Sequence, residues 1–156
     1  MTPFEIGKIV LYFIEWIWTL VIFAVTADSG SVAGVCLFDG TASVCNFAIA
    51  AGVIGWILVT LVGGAVVFGI LKNSSGMIPA KIEFGVHVFL CIWFFILACV
   101  VSANYPLKND TTNTVVAFSW MLVFFHLMSA GLAFLERNKG DTGDGMPPPS
   151  SMAMDI

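Results

Sequence analysis

Four long apolar runs separated by short polar breaks organise the chain. The first covers 6–27 and is interrupted by Lys8 near its start and by Glu15. The second, 46–71, holds no charged residue, while the third, 84–103, carries His87 and two cysteines. The fourth, 114–135, encloses His126. Each run is near the roughly 20 residues that cross about 30 Å of hydrocarbon at about 1.5 Å per residue, so the pattern predicts four transmembrane helices. The second is long enough to tilt. The connections DSGSVAGVCLFDGTASVC, KNSSGMIPAK and NYPLKNDTTN are rich in Gly, Ser, Asn, Pro and Thr, which end regular structure. None is long enough for a separate domain. The chain therefore reads as an all-α four-helix transmembrane bundle over 1–139 followed by a flexible tail, 140–156.

Composition agrees with lipid as the main solvent. Hydrophobic residues make up 59% of the chain and charged residues 10%, against about 25% charged in soluble domains. The formal charge of −4 is spread without a basic run, so neither nucleic acid nor an anionic membrane surface is suggested as a partner.

Positive charge resists translocation, so the Lys and Arg flanks set the orientation. Lys8, Lys72, Lys81, Arg137 and Lys139 fall on one side and Lys108 alone on the other. Both termini and the middle loop are therefore expected in the cytosol. The small residues around Val25 and Ala27 resemble a signal-peptide cleavage site. The first run, however, is longer than a signal core, lacks a basic leader and contains bulky Trp16 and Trp18, so a retained span is expected.

This topology puts Cys36 and Cys45 in an oxidising compartment, where a disulfide is expected. Closing a loop of about ten residues would contribute roughly 2.5–3 kcal/mol on the chain-entropy account. Cys91 and Cys99 lie eight positions apart on one helix, about 12 Å by rise alone, and cannot bridge each other. They read as packing residues or, near the cytosol, as palmitoylation sites.

The run CLFDGTASVCNFAIAAGVIGWI, with its C-x8-C loop leading into a Gly- and Ala-rich second span, resembles the MARVEL-domain family in its synaptogyrin and synaptophysin branch. The segment VVAFSWMLVFFHLMSAGLAFLERN is similar to that family's fourth span and basic exit, and the resemblance covers about 5–139. The third loop has no cysteine pair and the tail no Tyr-rich repeats, which points to a synaptogyrin-like or generic member over a true synaptophysin. Claudins share a C-x8-C spacing, but their Trp-Gly-Leu-Trp motif is absent. The resemblance implies a non-enzymatic protein of vesicle or specialised membranes, active in membrane organisation or trafficking.

The residues are compatible with that expectation. There is no nucleophile with its base, no phosphate loop and no paired-carboxylate site, so no catalytic or cofactor-binding residue is assigned. The two histidines sit on different spans without a third ligand at metal spacing, so no metal ligand is assigned either.

Small residues four apart, Ala48 and Gly52, Ala51 and Gly55, and Ala65 and Gly69, suit close helix packing in lipid, within the bundle or between copies. Ser129, Ala130, Gly131 and Ala133 read the same way. A charge in hydrocarbon costs at least about 2.5–3.5 kcal/mol, so Glu15, His87 and His126 should face the bundle. Glu15 lies roughly 9–13 Å and His126 about 13 Å from the cytosolic face at about 1.5 Å per residue, so the two are expected to pair. His87 is a possible third member, and the trio reads as polar glue or as a proton or ligand site.

Fourteen Phe and five Trp are spread along the spans, giving either a sterol-contacting surface or ordinary lipid solvation. Asn109 opens a sequon on the non-cytosolic side, close to the membrane, and Asn73 opens one on the cytosolic side. The tail, with three consecutive prolines, reads as disordered or as a short polyproline ligand. Two functions stay open: a MARVEL-type membrane organiser that contacts lipids, other membrane proteins or itself, and a small accessory subunit of a channel, pump or transporter.

Overall fold

The structure, a computed structural model, describes residues 2–32, 35–38, 42–72, 78–104 and 110–143. Asp39, Gly40, the sequon asparagines Asn73 and Asn109 and the proline run lie outside them. Four helices build the fold: α1 (Pro3–Ser29), α2 (Ala42–Leu71), α3 (Ala80–Ala103) and α4 (Asp110–Gly143), with a two-residue hairpin of β1 (Ser31–Val32) and β2 (Val35–Cys36) between α1 and α2. All four are long and apolar enough to cross a membrane.

Every helix starts before its apolar run. Backbone hydrogen bonding continues into the polar flanks, whereas hydropathy reports only the part matched to hydrocarbon. Thr2 starts α1 through a capping box: its hydroxyl accepts from the Glu5 amide at 3.3 Å, and the Glu5 carboxylate accepts from the Thr2 amide at 2.6 Å. These bonds satisfy amides that the first turn would otherwise leave unpaired. Asp110 in the first turn of α4 suits the positive end of the helix dipole. At its far end α4 continues to Gly143, past the expected start of the tail at 140.

Neighbouring helices run antiparallel. Phe23 of α1 meets Gly52 of α2, Trp93 of α3 reaches the Ala51 carbonyl, and Phe84 of α3 packs on Phe134 of α4. Buried positions recur at alternating spacings of four and three: Lys8, Tyr12, Glu15, Thr19, Ile22 and Thr26 on α1, and Glu83, His87, Leu90, Phe94, Leu97 and Val101 on α3. Such a stripe repeats every 3.5 residues and keeps a straight seam between helices crossing at about 20°.

The closest backbone approach lies between α1 and α2. A Cβ on Gly52 would sit 2.8 Å from Phe23 Cβ and 3.0 Å from the Phe23 amide nitrogen, so only glycine fits there. Gly55 lies under the Phe94 ring, and Ala48 and Ala51 are fully buried, whereas Ala65 is half-buried and Gly69 buried. Gly131 of α4 has open space where a side chain would stand and faces outward, unlike Ser129, Ala130 and Ala133.

The polarity of the bundle is inverted relative to a soluble protein. Phe13, Leu61, Ile92, Phe124 and Leu127 are exposed, while Lys8, Glu15, Glu83, His87 and His126 are buried. Water as the surrounding solvent would favour the reverse, so the surface is built for lipid. Cys99 is exposed on this surface, and the Cys91 thiol donates to the Val123 carbonyl at 3.7 Å.

At one end of the bundle Cys36 and Cys45 form a disulfide with Cα atoms 5.8 Å apart. The strand residues Ser31 and Cys36 face each other, and the Leu37 amide donates to the Gly30 carbonyl at 2.9 Å. The loop thereby folds back on the end of α1 and delivers Phe38 into the core at 0% exposure. Replacing both cysteines by serine is expected to lower stability by about 2–3 kcal/mol on the loop-entropy account, read as the shift in a reversible unfolding curve in mixed micelles. An unchanged midpoint would show that the hairpin and Phe38 hold the loop without the bridge.

Candidate functional site

The buried stripes of α1, α3 and α4 carry one connected set of polar side chains. It begins near the end of the bundle opposite the disulfide, where the Lys8 ammonium lies 2.8 Å from Glu83 and 2.7 Å from Glu136. Lys8 and Glu83 are almost fully enclosed, while Glu136 is 48% exposed at its side chain. Lysine reaches this point because its apolar stem follows the helix while its head meets the two carboxylates.

Deeper in, the Tyr12 hydroxyl donates to Glu83 Oε1 at 3.0 Å, and His87 Nε2 lies 2.9 Å from the same hydroxyl. A hydroxyl that donates to the carboxylate has only its oxygen left for His87, so His87 Nε2 carries the proton. In the neutral imidazole His87 Nδ1 is then an acceptor. It faces His126 Nδ1 at 3.3 Å, which must supply the shared proton.

Glu15 completes the set. Its Oε1 lies 3.3 Å from His126 Nδ1 and accepts from the Ser129 hydroxyl at 2.7 Å, and its Oε2 lies 3.9 Å from His87 Nδ1. The expected partners Glu15 and His126 thus stand side by side, with His87 as the third member. All three are at most 1% exposed. Phe94 stacks on the His126 ring at 5.4 Å between centroids and is backed by Gly55, which is the apolar contribution of α2 to this centre.

The arrangement overturns one reading of the sequence. A third ligand does accompany the two histidines, because α1 places Glu15 so that a nitrogen or oxygen of each residue lies within 4.8 Å of the others. Distance along the chain hides that grouping. Lys8, Tyr12 and Glu83 are also members that charge counting misses, since a lysine in a flank reads as a solvated topology signal and Glu83 precedes the third apolar run. The signal that finds them is the four-and-three spacing from Lys8 through Tyr12 to Glu15, and from Glu83 to His87.

Beyond this centre the polar groups turn inward on their own helices. Thr19 donates to the Glu15 carbonyl at 2.9 Å, Thr26 to Ile22 at 2.7 Å and Ser119 to Val115 at 2.7 Å. Among the described residues, the connected chain runs from half-exposed Glu136 to the Glu15, His87 and His126 centre in the middle of the bundle. It defines a multi-pass membrane protein with a sealed polar core. No protein-family model matches the chain, and no curated protein matches it.

Changing Lys8 to Met leaves Glu83 buried without its cation, at an expected cost on the order of 3 kcal/mol. Adding Glu83→Gln removes that unpaired charge and is expected to recover much of the loss. Unfolding midpoints of the two single variants and the double variant check this, and strictly additive losses would contradict the pairing.

Proposed function

We propose that the protein is a non-enzymatic organiser of vesicle or specialised membranes, with both termini in the cytosol, acting through its lipid-facing surface and through contacts with other membrane proteins or copies of itself. The observation that carries this reading is the sealed polar core. Charged and titratable groups that a transporter or intramembrane enzyme would present to a cavity are instead turned toward each other across α1, α3 and α4. The disulfide-closed loop before α2 adds to the resemblance to synaptogyrin-like MARVEL proteins.

The accessory-subunit reading retains one specific support. A groove of about 560 Å³ opens between α2 and α3, lined only by apolar groups that include Ile54, Ile57, Ile82 and Phe89. Its shape suits a lipid chain, a sterol or a partner helix. The form of that reading in which Glu15 and the histidines meet a partner loses its basis, because they meet each other.

Mild detergent extraction from vesicle-enriched membranes, followed by size analysis and identification of co-purifying chains, separates the two functions. The organiser reading expects a small particle with no large stoichiometric partner. A fixed large partner in every preparation would establish the accessory role instead.

A further inference from the structure

Glu15, His87 and His126 present more acceptors than donors to one another. With His87 Nε2–H committed to Tyr12, the space between the three residues holds two carboxylate oxygens and the bare Nδ1 of His87, against one Nδ1–H from His126 and the Ser129 hydroxyl. Ser129 and His126 both address Glu15 Oε1. Glu15 Oε2 is completely buried and has no hydrogen-bond partner, although it points to within 3.9 Å of His87 Nδ1. A buried anionic oxygen left unpaired is costly, and a cation placed among these acceptors removes the cost.

The spacing identifies the kind of cation. His87 Nδ1 and His126 Nδ1 lie 3.3 Å apart, and each faces a different oxygen of the Glu15 carboxylate, His126 Nδ1 at 3.3 Å from Oε1 and His87 Nδ1 at 3.9 Å from Oε2, so that one ligand atom from each residue falls within 4.8 Å of the others. Ligands about 2.0–2.1 Å from a tetrahedral ion are separated by about 3.3 Å, the ligand distance multiplied by about 1.63. Shortening the 3.9 Å contact by about 0.6 Å, with the carboxylate turned so that it addresses both imidazole nitrogens, brings the ligand atoms to this spacing. Two imidazoles and a carboxylate select a transition metal of intermediate softness over calcium or magnesium, which take oxygen donors, and over copper(I), which takes sulfur. The second nitrogen of His87 is already held through Tyr12 and Glu83, the kind of outer support that fixes a metal-binding imidazole in orientation and tautomer.

We propose that Glu15, His87 and His126 form an intramembrane binding site for a divalent zinc-class ion that ties α1, α3 and α4 together. His87 binds through the Nδ1 it already presents bare. His126 moves its proton from Nδ1 to Nε2 and binds through Nδ1, so the imidazoles stay neutral and no net proton is gained or lost. Three protein ligands leave a fourth position for water or for the second Glu15 oxygen. The route from solvent passes Lys8 and Glu136. Between that ion pair and the trio, the gap lined by Tyr12, Glu83 and Ser129 is too narrow for a water molecule, so uptake requires the Lys8 bridge to open.

The test uses the full chain in detergent, stripped with a chelator, incubated with Zn²⁺ and desalted before metal analysis. Wild type is expected to keep one zinc per chain and to unfold at a higher temperature than the stripped protein. His126→Gln and Glu15→Gln are expected to lose both the retained zinc and the temperature shift. Tyr12→Phe, which keeps every ligand, is expected to bind about 10–100-fold more weakly. Should the ligand variants fail to fold, X-ray absorption of the zinc-loaded wild type decides, with two imidazole nitrogens and oxygen ligands at about 2.0–2.1 Å as the expected shell. Wild type that retains no zinc, zinc retained equally by His126→Gln, or a shell without two imidazoles would overturn the site.

Discussion

A carboxylate in the middle of a bilayer-spanning bundle has to be answered by groups within a few ångströms, because hydrocarbon offers it nothing. Glu15 is that group here. It is completely buried on α1 and draws Ser129 and His126 from α4 and His87 from α3. Three helices are thereby fixed in rotation as well as position, since turning any of them by one residue would swing its polar member out of reach. Lys8 plays the same part nearer the membrane edge, tying α1 to Glu83 of α3 and Glu136 of α4.

α2 is held by different physics. It has no charged residue and packs on α1 through shape, with Gly52 against the Phe23 backbone and Gly63 against the Tyr12 ring. Two tryptophan N–H groups add polar links, Trp16 to Thr60 at 3.0 Å and Trp93 to the Ala51 carbonyl at 3.4 Å. In lipid, where apolar surfaces gain little by meeting each other, close packing and such hydrogen bonds are the available forces. They leave α2 only lightly engaged with α3, and the apolar groove opens along that seam. The disulfide-tied loop secures the start of α2 where packing on α3 does not.

Much of this was legible in the sequence because membrane insertion is a coarse physical filter. Charge-free runs of sufficient length give the four spans, and equal depth from one face brings Glu15 and His126 to the same level. The helix ends were less legible, because helical hydrogen bonding continues through polar residues such as Asp110 and Glu83 that hydropathy treats as loop. The wider polar core was harder still. Lys8 counted as a flanking charge and Tyr12 as one more aromatic, and nothing along the chain says which face of α3 meets which face of α4. That information lies in the four-and-three spacing of buried positions, which gains meaning only once the helices are paired. The short β-hairpin had no signal, since its strands are too brief for alternation to register.

The central claim, that Glu15 and His126 hold the bundle as a pair, is tested most directly by a double-mutant cycle. Glu15→Gln, His126→Gln and the combined variant would be compared with wild type by reversible unfolding in mixed micelles. A coupling of about 1 kcal/mol or more is expected, since residues in one buried network lose their interaction once. Losses that add within about 0.3–0.5 kcal/mol would contradict the account, because they would mean that the two side chains do not depend on each other.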